Sequence, residues 1–187
     1  MYFQKYKMKK VLISLLTIGL AVTTKAQIPT KSADGMYNLN LDSSGCILQG
    51  YDVVAMFIMP EKTIKGNQQF ESTYDGAKYW FASVENKATF DSNPAKYKVY
   101  YGGYCSIAVS EGNLRPTLVW THEIVDGKLV VNHNAKAKAL WDRNPEKNLK
   151  KAEKKWPELN KKEAKYDILK KRETQESLAA TSYGENK

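Results

Sequence analysis

At 187 residues, with 42% apolar and 11% aromatic content, the chain suits one globular domain with accessory segments, and this excludes a disordered or fibrous polymer. The formal charge of +9 is unevenly placed: residues 1–26 carry five lysines and no acid, residues 27–143 carry twelve basic and twelve acidic side chains, and residues 144–187 carry twelve against eight. The middle of the chain is therefore neutral, so the basic pI of 9.3 is no nucleic-acid footprint and no nucleic acid is expected as a partner.

Lys5, Lys7, Lys9 and Lys10 precede 14 uncharged residues, Val11 to Thr24, and Thr24-Lys25-Ala26 ends on a small side chain. A basic start, a short apolar run and a small-residue end predict a signal peptide over 1–26, cleaved between Ala26 and Gln27. The run falls short of the roughly 20 residues a spanning helix needs, so no transmembrane span is expected after cleavage. An uncleaved anchor is the alternative reading. Met8 also reads as an alternative start, since Lys9-Lys10 follow it. No cysteine follows the run closely and no twin arginine precedes it, which favours general secretion to the periplasm or beyond.

Residues 27–45 mix Pro, Ser, Gly and Lys and predict an exposed leader. Tyr51 to Met59 is apolar apart from Asp52 and too short for period alone to separate strand from helix. Gln69–Tyr74 and Ala77–Phe81 flank Asp75-Gly76, and Thr121–Val125 and Lys128–Asn132 flank Asp126-Gly127. Two β-prone runs around Asp-Gly predict a hairpin each time. Ser83 predicts a helix cap, with the helix running to about Asp91 and ended by Asn93-Pro94. Ala135–Trp141 and a segment starting at Pro145 predict two further helices. Pro157 predicts a break, and the Lys/Glu-rich tail over 158–187 is expected to be helical, then disordered. Interspersed acids favour a solvated tail over one held by anionic lipid.

Tyr79-Trp80-Phe81-Ala82-Ser83, then Phe90, Asn93-Pro94 and Tyr97 resemble the core signature of the YHS domain family. Gly50-Tyr51-Asp52-Val53-Val54-Ala55-Met56-Phe57 resembles the opening of an exported YHS-like subgroup. Gly102-Gly103-Tyr104-Cys105, Val125 to Leu129 and Trp156-Pro157 resemble its later blocks. The resemblance spans residues 46–157. It implies an α+β fold of small antiparallel hairpins with packed helices, followed by a C-terminal helical extension. Metal-binding members place cysteines where this chain has Ala82 and Asn86, and another in the opening block. Alanine offers no ligand atom and the Asn86 amide a weak one, so the family's thiolate site is not carried over.

The leading functional expectation is a non-catalytic binding module. Its ligand would be a small molecule or a protein in the periplasm, held by Tyr51, Asp52, Tyr104 and Cys105. Asp52 reads more simply as the cap of a helix beginning near Val53, because a buried carboxylate must be paired or hydrogen-bonded. A second expectation rebuilds a copper or zinc site around Cys105, with His133, Asp52 or Met56; a metal ion is then the cofactor. A third makes Cys105 the nucleophile of a thiol enzyme, with His122 and His133 as the available imidazoles. Export would permit a Cys46–Cys105 disulfide closing a loop of about 60 residues, and two buried thiols are the alternative. Tyr79, Trp80, Tyr97, Tyr100, Tyr101, Tyr104 and Trp120 read either as core or as the lining of a pocket. There is no phosphate loop, metalloprotease His-Glu signature or serine nucleophile elbow.

Overall fold

Two Asp-Gly pairs set the architecture. In the computed structural model, which describes residues 38–161, Asp75 and Gly76 both take positive φ (49° and 77°), as do Asp126 and Gly127 (50° and 69°). Two consecutive left-handed residues make the tight turn whose twist matches paired strands. β1 (Asn67–Tyr74) thus pairs with β2 (Ala77–Phe81), and β3 (Leu118–Val125) with β4 (Lys128–Asn132), both antiparallel. Each long strand carries a register irregularity, between Asn67 and Glu71 and between Leu118 and Glu123. The two hairpins are separate sheets. Isolated bridges tie each to a neighbouring segment, Cys46 to Lys78 and Val99 to Leu129.

The helices begin where a side-chain oxygen meets a free N–H. Asp52 caps α1 (Val53–Ile58), Ser83 caps α2 (Val84–Ser92), and Asn93 caps α3 (Pro94–Tyr97). Asn134 caps α5 (Ala135–Asp142) and Asn144 caps α6 (Pro145–Asn160). Each accepts from the amide three residues on, satisfying one of the orphan donors of a first turn. α4 (Ser106–Ser110) starts at Cys105 with no such bond. The signature read from the sequence as one serine-started helix is α2 followed at once by the short α3. Asn93 ends the first with its N–H and starts the second with its side chain.

Two clusters make up the core. The first gathers Phe81, Phe90, Tyr79, Val53, Val54 and Met56 around the first hairpin; the second gathers Tyr104, Cys105, Trp141, Leu149 and Ala152 between α4, α5 and α6. β4 stands between them. Leu129 and Val131 enter the first cluster and Val130 the second, as the two-residue period of a strand requires.

Three expectations are corrected. The leader is not exposed throughout: Asn38, Leu39, Asn40 and Leu41 are buried. The amide of Asn40 bonds the Gly102 carbonyl at 2.8 Å, and the Asn38 amide bonds Asn160 Oδ1 at 2.6 Å. Pro157 does not end the last helix, which continues to Asn160 with Leu159 and Asn160 buried. Proline removes one N–H bond, but Pro157 and Glu153 are both exposed, so solvent can serve the freed carbonyl of Glu153. The packed unit therefore overruns the expected 46–157 at both ends. The expected signal segment and most of the tail lie outside the described residues. No helix among those residues is long and apolar enough to cross a membrane.

Candidate functional site

Asp52 is completely buried. Its Oδ1 accepts from the Ala55 amide at 3.0 Å, closing the first turn of α1. Its Oδ2 accepts from the Ala82 amide at 2.8 Å and from Asn86 Nδ2 at 2.7 Å. Ala82 precedes the Ser83 cap, and Asn86 lies in the first turn of α2, so one carboxylate joins the starts of two helices. The positive ends of both dipoles favour its charge, and three donors offset the cost of taking it out of water. The cap read from the sequence is present. The second oxygen, reaching 30 and 34 residues along the chain, was not legible there.

Cys105 is buried in the second cluster. Its Sγ receives the His133 amide at 3.2 Å and lies 3.7 Å from Asn132 Oδ1. Burial pushes the thiol pKa up, while the amides of Ala108, His133 and Ile107 pull the other way. The His133 ring turns elsewhere, with Nδ1 2.8 Å from the Pro116 carbonyl oxygen. His122 places Nδ1 3.2 Å from the Val119 carbonyl oxygen. Cys46 is a second free, buried thiol; burial, then the charges of Asp42 and Glu71, push it up to about 12. The disulfide that export would permit is not formed in this structure, where each cysteine packs separately.

Asp52, Tyr104 and Cys105 are thus inside the protein, and none of them lines the part-open cavity beside α6. Tyr51 is half-buried, with the Lys65 ammonium 4.7 Å from its ring centre. This cavity lies between the Asp75-Gly76 turn and α6. It encloses about 190 Å³ and is part open to solvent. Leu39, Ile47, Tyr79, Val99 and Tyr101 are its buried lining, while Tyr100, Trp156, Lys98 and Asp75 are its more exposed one. Tyr101 stands edge-on to Trp156, ring centres 5.8 Å apart, and to Tyr100 at 6.1 Å. At the rim, Lys98 Nζ lies 3.4 Å from Asp75 Oδ2.

The backbone of this cavity is unusual. Tyr101 has φ 55° and Gly102 φ 58°. A bulky residue at positive φ is an outlier that surrounding structure must hold in place. Gly102 can have no Cβ, which would run into the Asn38 carbonyl oxygen. Of the aromatic residues singled out in the sequence, Tyr79, Tyr100 and Tyr101 reach the cavity. Trp80 instead donates to Glu71 Oε2 at 2.8 Å, Tyr97 packs on Phe57, Tyr104 is buried with its hydroxyl 3.4 Å from the Leu39 carbonyl oxygen, and Trp120 faces solvent. Sequence reasoning missed Trp156, Lys98 and Leu39 as lining. The twin glycines among tyrosines were the available signal.

A hairpin feeding a serine-capped helix, closed by Asn93-Pro94 and Tyr97, defines a small α+β module. Residues 57–101 match the family model of the YHS domain, and the chain carries a YHS domain there. No curated protein and no solved structure matches the chain.

The metal that this family suggests does not fit the residues present. Ala82 contributes only its amide, Asn86 turns its NH₂ and not its oxygen toward Asp52, and the carboxylate is already taken up by three N–H donors. A cation there would face donor hydrogens. Among the described residues, no three His, Cys, Asp or Glu side chains come together where they could hold a metal ion.

Proposed function

We propose that the chain is an exported, non-catalytic binding module that holds a small molecule in the cavity between Tyr101 and Trp156. The observation that carries this reading is the strained Tyr101–Gly102 backbone, which sets an aromatic ring at the wall of a part-open cavity of about 190 Å³. Strain of about 1–3 kcal/mol persists where structure over-determines it, and such positions concentrate at ligand clamps. The volume is in the range that admits a ring, since an apolar cavity of about 150 Å³ takes up benzene. The Lys-rich start and short apolar run of residues 11–24 support export.

The rival readings have weaker support. A thiol nucleophile needs an accessible thiolate and a base, whereas Cys105 is buried, its thiol is pushed up, and the His133 ring faces Pro116. A rebuilt metal site around Cys105 has little to draw on: Met56 sits in the first cluster and Cys105 in the second, Asp52 accepts three N–H bonds of its own, and the His133 ring faces Pro116. A fragment screen by ligand-observed NMR on the purified chain tests the proposal. Ring compounds should compete for one site, and their protein shifts should map to Tyr100, Tyr101 and Trp156. Binding confined to another face would overturn it.

A further inference from the structure

We propose that the ligand is a neutral planar ring carrying a hydrogen-bond acceptor beside a donor on one edge, as in a heteroaromatic lactam or a ring carboxamide. This rests on the reading of the cavity as a binding site and names the class of molecule it takes. Three observations converge on it.

The first is size and lining. About 190 Å³ is one ring with a small substituent or a compact bicycle. Tyr100, Tyr101 and Trp156 offer edges and faces, to which a flat π-system is better matched than an aliphatic one.

The second is the rim. Lys98 Nζ and Asp75 Oδ2 sit 3.4 Å apart, so a donor and an acceptor stand side by side at the mouth. The ammonium has three N–H groups and the carboxylate about four lone-pair sites, so the pair can answer a ligand's adjacent acceptor and donor without separating.

The third is charge. The rim pair cancels, so a ligand anion would lose to Asp75 most of what it gained from Lys98, and a cation the reverse. A further cation, Lys128, lies 5.8 Å from the Tyr100 ring centre. Its charge is met by Glu153 at 2.8 Å and Asp126 at 3.4 Å. The site therefore selects against net charge and for a polar edge.

The pair is about one-third exposed on each side, where ion pairs add little to stability, so both partners can be varied in a folded protein. Asp75 tolerates Asn at its positive φ. The test is calorimetric titration of the full chain with 2-pyridone, benzamide, benzoate and toluene. 2-Pyridone and benzamide should bind at least tenfold tighter than benzoate and toluene. Lys98→Met and Asp75→Asn should each weaken 2-pyridone about tenfold while leaving toluene unchanged. Equal binding of 2-pyridone and toluene, with both variants silent, overturns the ligand class and leaves the cavity reading standing. Benzoate as the tightest probe overturns it too. Binding of no ring at all overturns both.

Discussion

Asn86 donates its side-chain amide to the Asp52 carboxylate at 2.7 Å, joining the first turn of α2 to the cap of α1 across 34 positions of sequence. One buried, hydrogen-bonded carboxylate thus holds two helix starts together.

Removing the donor should therefore cost stability. Asn86→Ala leaves Asp52 Oδ2 with the Ala82 amide alone, and the expected loss is about 1–3 kcal/mol. Urea titration should show a lower midpoint with an unchanged slope. Asn86→Asp separates contact from packing. Two carboxylates so close share a proton, which raises the folded-state pKa of the pair above its unfolded value. The stability lent by that proton is present below about pH 4 and is lost as pH rises through the raised value. The deficit against the parent should be larger at pH 7 than at pH 4; a constant deficit would mean the side chains do not touch. Dialysis of the parent against a chelator should leave its melting temperature unmoved.

The thiols give a second expectation. Cys46 is pushed up to about 12 from an ordinary 9.0, and Cys105 moves the same way. Both should resist iodoacetamide at pH 8 in the native protein and react fully in denaturant, adding two labels by mass. For Cys46 the folded state holds the proton more tightly than the unfolded one. Its contribution is complete below pH 9 and declines toward pH 12. A native mass two hydrogens lighter, with labelling only after reduction, would show that the two cysteines are joined after all.

His122 runs in the opposite direction. Burial lowers its pKa from 6.5, with the Lys138 charge adding to the effect and the Val119 and Pro60 carbonyls opposing it. The unfolded chain then binds the proton more readily. Stability should be complete above pH 6.5 and fall as pH drops through the lowered folded value. His122→Gln should flatten the stability profile between pH 7 and pH 5. An unaltered profile would place the acid sensitivity elsewhere.

Phe90 is the point where the first cluster meets. Its ring centre lies 4.6 Å from Tyr79, 5.0 Å from Phe81 and 6.2 Å from Tyr74. Phe90→Ala should cost about 3–5 kcal/mol, and Phe90→Leu substantially less. Thermal melts of the two variants provide the comparison.

The sequence made some of this visible and hid the rest for physical reasons. Asp75-Gly76 and Asp126-Gly127 announced both hairpins because the turn chemistry is local. Ser83 and Asp52 announced helix starts for the same reason. The burial of Asn38 and Asn40 was hidden, because what holds them is hydrogen bonding to Gly102, Thr117 and Asn160, far away in sequence. Pro157 misled because its effect depends on whether the freed carbonyl faces water. The cavity draws on the first turn, the Val99–Gly102 segment and Trp156 of α6. No spacing rule links elements so far apart, and the aromatic residues alone did not say which would meet.

A wall shared by two rooms cannot be taken down for one of them. With Leu129 and Val131 on one side of β4 and Val130 on the other, melting either cluster exposes a strand the other still needs. The domain should lose its structure in a single step, and the amides of residues 129–131 should be the slowest to exchange with deuterium, opening only when the whole molecule does.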